Sequence, residues 1–107
     1  MQHIVIHNLY NPTFTLENCD GTAMDLSSAT VKYILKRNKE DDDASALLTG
    51  EYVNPTTNIL QFEFSAIDTA ILPAGSAIGA LKIYRTDDKD EEIWSDEYII
   101  EKGVFDE

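Results

Sequence analysis

The chain is built of short stretches in which apolar and polar residues alternate, separated by turn-forming residues. "QHIVIHN" (2–8) is short and β-branched, with Ile4 and Ile6 on one face. "TFTLEN" (13–18) alternates strictly, Phe14 and Leu16 on one side and Thr13, Thr15 and Glu17 on the other, the period of a half-buried strand. "CDGTAMDLSSA" carries turn chemistry in Asp20-Gly21 and in Ser27-Ser28. "TVKYILKR" alternates again: Val31, Tyr33 and Leu35 point one way, Lys32, Ile34 and Lys36 the other. A charged loop, "NKEDDDAS", precedes a weaker strand, "ALLTGEYV", softened by Gly50. "NPTTN" is a turn, since Pro55 holds φ and asparagine tolerates left-handed backbone. "ILQFEF" places Leu60, Phe62 and Phe64 inward and Gln61 and Glu63 outward.

The stretch from Phe62 to Arg85, rich in Ala, Ile and Leu, could pass for one hydrophobic helix. Three local signals argue against it. Ser65 and Asp68 have the spacing of a capping box, which starts a helical turn. Pro73 disfavours helix at Leu72, and Gly75 follows. Beyond Gly75 the period is two: Ile78, Ala80, Lys82 and Tyr84 against Gly79, Leu81, Ile83 and Arg85. The reading is strand, short helical crossover over "AIDTAIL", strand. "TDDKDEE" then predicts a charged hairpin turn, and "IWSDEYIIEK" a closing strand with Trp94, Tyr98 and Ile100 on one face and Ile93, Glu97, Ile99 and Glu101 on the other.

That makes about seven short strands and one helical turn, which predicts an all-β fold, an immunoglobulin-like antiparallel β-sandwich. The Cys…Trp…Cys signature of antibody domains is absent. The predicted core is Phe14, Leu16, Val31, Tyr33, Leu35, Leu60, Phe62, Phe64, Leu81, Ile83 and Trp94. The 107 residues allow one domain, 1–107.

Charge narrows the partners. Twenty acidic residues against eight basic give a formal net charge of −12. Such a surface repels phosphate backbones and anionic lipid, so neither nucleic acid nor membrane is an expected partner. It serves solubility; it is also what an acidic inhibitor would carry if it mimicked nucleic acid and blocked a basic site on a host protein. A carbohydrate-binding module would need exposed aromatics, and the single Trp94 has the period of an inward residue. Cys19 is the single cysteine, so no internal disulfide can form. "MQHIVIHNLY" lacks the basic and continuous apolar regions of a signal peptide. No run approaches the roughly 18 apolar residues of a membrane span. The expectation is a soluble protein made in the cytoplasm.

Candidate chemistry is sparse. His3 and His7 flank Ile-Val-Ile, so as strand residues they would share a face about 13 Å apart, too far for one metal ion. Asp41-Asp42-Asp43 and "DDKDEE" offer oxygen ligands without the glycine and alternate-position spacing of an EF-hand loop. Cys19 has no nearby base, and Asp20 disfavours its thiolate. No phosphate loop or nucleophile elbow is present. No enzyme activity, cofactor, metal or small-molecule substrate is expected.

Three segments resemble a known family when taken in order: "MDLSSATVKYILKR", "ALLTGEYVNPTTNILQFEFSAIDTAILPAG" and "GALKIYRTDDKDEEIWSDEYIIE". Together, over about residues 24–101, they resemble the immunoglobulin-like N-terminal domain of phage baseplate upper proteins and related tail and fibre proteins. The matching places are Asp25 to Val31, Ser65 to Thr69, Leu81 to Tyr84, and Trp94. The resemblance implies a virion setting, in the host cytoplasm before assembly, with other virion proteins or further copies of the chain as partners. It implies no catalytic residues. The family's domain usually heads a longer protein, whereas this sequence stops at Glu107, so a free-standing component attached to head, tail or baseplate is expected.

In an immunoglobulin-like arrangement the third, sixth and seventh strands are sheet neighbours. Their outward faces would carry Lys32, Ile34 and Lys36; Lys82 and Tyr84; and Glu97, Ile99 and Glu101. Large apolar residues rimmed by charge mark either a solvated sheet with cross-strand ion pairs or a protein interface. The candidate interface is therefore Lys32, Ile34, Lys36, Lys82, Tyr84, Glu97 and Ile99.

Overall fold

A computed structural model describes residues 2–85 and 91–103. Among the described residues seven strands form: β1 (Gln2–Val5), β2 (Thr13–Thr15), β3 (Ala29–Lys36), β4 (Leu48–Val53), β5 (Ile59–Gln61), β6 (Gly75–Arg85) and β7 (Glu91–Glu101). A short α-helical turn, α1 (Ala66–Ala70), lies between β5 and β6, and a 3₁₀ turn spans Asp43–Ser45. Most of the charged hairpin expected at 86–92 falls outside the described residues.

Five strands make one sheet in the order β1-β7-β6-β3-β4, while β2 and β5 pair as a separate ribbon. Every pairing is antiparallel except one: β1 runs parallel to β7, with Gln2 opposite Tyr98 and Val5 opposite Glu101. The fold is all-β, but its main sheet is mixed, which corrects the antiparallel expectation. Alternation reports which side of a strand is apolar and is silent on the direction of its neighbour.

The alternation itself is obeyed. Val31, Tyr33, Leu35, Leu81 and Ile83 are fully buried on the inner face, and β3 is held from both sides, by β4 and β6. The ribbon lies over that face. Leu60 is buried, and the rings of Phe14 and Phe62 stand 6.0 and 5.7 Å from that of Tyr33. Phe14 and Trp94 were expected in the core; they pack against each other at 4.9 Å on its margin and remain half-buried. Ile4, Leu26, Leu48, Leu72, Tyr98 and Ile100 complete the interior.

Two glycines permit this packing. A Cβ on Gly50 would sit 2.6 Å from the Phe62 ring, and one on Gly79 would sit 2.5 Å from that of Tyr98. The space over Gly79 is filled by the Tyr98 ring and the Tyr33 hydroxyl. Tyr10 joins the hydroxyls of Tyr33, at 3.0 Å, and Tyr98, and Tyr33 donates to Tyr98 at 2.9 Å. Burial pushes all three phenols above their ordinary range. The closed ring satisfies hydroxyls that would otherwise be costly to bury.

The crossover forms as its local signals predict. The Ser65 hydroxyl accepts the Asp68 N–H at 3.2 Å, and the Asp68 carboxylate accepts the Ser65 N–H at 2.8 Å, the reciprocal capping box. Fully buried Thr69 donates its hydroxyl to the Asn8 carbonyl at 2.8 Å, tying α1 to the β1–β2 connection. In that connection His7 takes φ +73° and Asn8 N–H returns to the Val5 carbonyl. The strand therefore ends at Val5, and His7 shares no strand face with His3, contrary to expectation.

Candidate functional site

The outward face of the five-stranded sheet is concave. Lys32, Ile34 and Lys36 of β3, Ile78, Ala80, Lys82 and Tyr84 of β6, and Thr49 and Glu51 of β4 line a cleft of about 740 Å³. Its apolar floor is direct pairing: Ile34 stands opposite Ala80, and Lys36 opposite Ile78. A residue as small as Ala80 between two isoleucines deepens the middle.

One end is closed by the acidic loop. Lys36 donates to the Asp41 carbonyl at 2.8 Å and pairs with the Asp43 carboxylate at 2.6 Å, folding residues 38–45 against the sheet. Asp41 in turn accepts the Asn38 N–H. The Lys36 contact holds the Asp43 carboxyl below its ordinary range, and the fields of Lys82 and Lys32 push the same way. The aspartate run is thus used to shape the cleft wall.

At the other end Lys32 and Lys82 face each other directly across the β3–β6 ladder. Both ammonium groups lie over the Tyr84 ring, 5.3 and 4.8 Å from its centre. Like charges placed opposite each other destabilise a sheet, and the ring face offsets part of that cost. Lys32 also reaches Glu51 at 3.4 Å, with both side chains about half exposed.

Five of the seven candidate interface residues, Lys32, Ile34, Lys36, Lys82 and Tyr84, come together in this cleft. Glu97 and Ile99 are on the same face but outside the lining, toward β1, where Ile99 is the partner of His3 and His3 lies 3.2 Å from Glu101. Strand alternation did not reveal Glu92. The register shifts between Leu81 and Lys82, so that Leu81 faces Trp94 while Lys82 faces Glu92. The bulge brings Glu92 to the cleft beside Ser95. Lys39 and Asp43 were also missed, because they reach the cleft from a loop.

Asp20 accepts both the N–H and the hydroxyl of Thr22 beside exposed Cys19. Among the described residues no three His, Cys, Asp or Glu side chains gather as a metal site, and no helix is long and apolar enough to cross a membrane. A second exposed feature is apolar: Leu9, Ile67 and Ile71, near the α1 end of the molecule. Comparison with protein-family models, curated proteins and solved structures finds no match to the chain in any of the three.

Proposed function

We propose that this chain is a phage or prophage virion structural protein, an immunoglobulin-like β-sandwich that acts as adaptor or decoration on head, tail or baseplate. It docks through the concave face of β3 and β6. The fold-level part of this reading is supported by the ordered resemblance of residues 24–101 and by a five-stranded sheet covered by a two-stranded ribbon. The docking part is supported by one observation above all. Four of the eight basic residues, Lys32, Lys36, Lys39 and Lys82, line a single cleft of a protein whose net charge is −12. There a partner approaches without the repulsion of the remaining surface, and Ile34, Ile78 and Tyr84 supply apolar contact.

The test is the double variant Ile34→Asp with Tyr84→Ser. It is expected to fold but to lose incorporation into particles, or self-association. Incorporation equal to the parent's contradicts docking through this face. Co-elution of the parent with purified DNA-binding host proteins in gel filtration would instead support an inhibitor that mimics nucleic acid.

A further inference from the structure

The lysines of the cleft are not equivalent. Lys36 is occupied by Asp43 at 2.6 Å, and Lys32 shares Glu51 at 3.4 Å. Among the described residues, no carboxylate lies within 4.0 Å of Lys82, although Glu92 is its neighbour in register. Lys82 instead stands opposite another cation with a tyrosine face beneath both. A like-charged pair held at a cleft mouth lowers its energy when an anion enters between the two. The chain's own carboxylate, Asp43, already makes such a contact one step along the same row of lysines.

We infer that the cleft takes an extended acidic segment of a partner protein, one carboxylate seated between Lys32 and Lys82 and the apolar side chain two residues along, on the same face of the segment, on the Ile34–Ala80 floor. This rests on the docking reading above. The floor distinguishes such a segment from a bare inorganic anion, since Ile34, Ala80 and Ile78 offer phosphate nothing to bind. Four lysines against Asp43, Glu51 and Glu92 leave the lining net positive. Charge elsewhere on the protein is screened beyond about 8 Å at physiological ionic strength, so the cleft acts on what it contacts. The bond is electrostatic and weakens as salt rises.

The test is an NMR titration of the full chain, labelled with ¹⁵N, with the blocked peptide acetyl-Glu-Glu-Leu-amide, its glutamine counterpart, and inorganic phosphate. Saturable shifts at the amides of residues 32, 82 and 84 with the glutamate peptide alone are expected. Lys82→Glu should weaken binding roughly tenfold, the order of a lost partly screened ion pair plus a new repulsion, while Lys102→Glu leaves it unchanged. Lys82→Met, which keeps the aliphatic stem, guards against a folding defect and should also weaken binding. Absence of saturable shifts, equal shifts with the glutamine peptide, or equal shifts with phosphate each overturn the inference. If the Ile34→Asp, Tyr84→Ser variant loses particle incorporation while the glutamate peptide shifts nothing, the docking face stands and the acidic partner falls.

Discussion

The two faces of the five-stranded sheet are made from alternate residues of the same strands and have opposite characters. Inward, Val31, Tyr33, Leu35, Leu81 and Ile83 are wholly buried, and the polar atoms there close on one another in the tyrosine ring. Outward, Ile34, Lys36, Lys82 and Tyr84 are half-buried, and like charges stand opposite each other at Lys32 and Lys82. Across the sheet the row runs Glu51, Lys32, Lys82, Glu92, so opposite charges pair on both flanks and one unfavourable like-charged contact is left in the middle. The inner face accounts for the fold; the outer face keeps the like-charged pair on which the docking reading proposed above rests.

The largest effect should come from the inner face. Phe62 packs against Tyr33, Tyr52 and Phe14, so Phe62→Ala should cost about 3–5 kcal/mol, a large part of a small domain's stability. A denaturant midpoint that hardly moves would show that the ribbon does not cover this sheet. Next is Gly79→Ala. Its added Cβ would meet the Tyr98 ring at 2.5 Å, with the Tyr33 hydroxyl at 3.2 Å, and overpacking of this kind costs about 1–3 kcal/mol. A thermal melt equal to the parent's would mean the tyrosines yield freely and the inner face is loosely packed. A smaller effect is expected of Tyr98→Phe. The hydroxyls of Tyr10 and Tyr33 still bond each other at 3.0 Å, so the loss should be about 1 kcal/mol. A cost well above that would show the three hydroxyls act as one cooperative unit.

Much of the inner face was legible in the sequence because one buried side imposes a period of two that a single slipped residue would destroy. The β3 and β6 alternations carried that period without interruption, and the crossover was legible because Ser65, Asp68, Pro73 and Gly75 act on their immediate neighbours. The remaining features depend on who pairs with whom. The parallel β1–β7 pairing joins the two ends of the described chain. The bulge at Ile93 is set by how β7 fits β6, and it turns Glu92 toward Lys82 against the simple alternation. Tyr10, alone between turns, showed no period that would place it in a ring with Tyr33 and Tyr98. The cleft was half legible. Alternation grouped Lys32, Ile34, Lys36, Lys82 and Tyr84, but the concavity and the acidic loop bound to Lys36 are tertiary.

The most direct measurement sets stability and docking side by side in the variant Ile34→Asp with Tyr84→Ser. Both positions point away from the core, so its unfolding free energy should stay within about 1 kcal/mol of the parent's, the smallest effect in the series. Its incorporation into particles, or its self-association by sedimentation, should be lost. A variant that unfolds as the parent does and still assembles as the parent does would contradict the division of labour between the two faces.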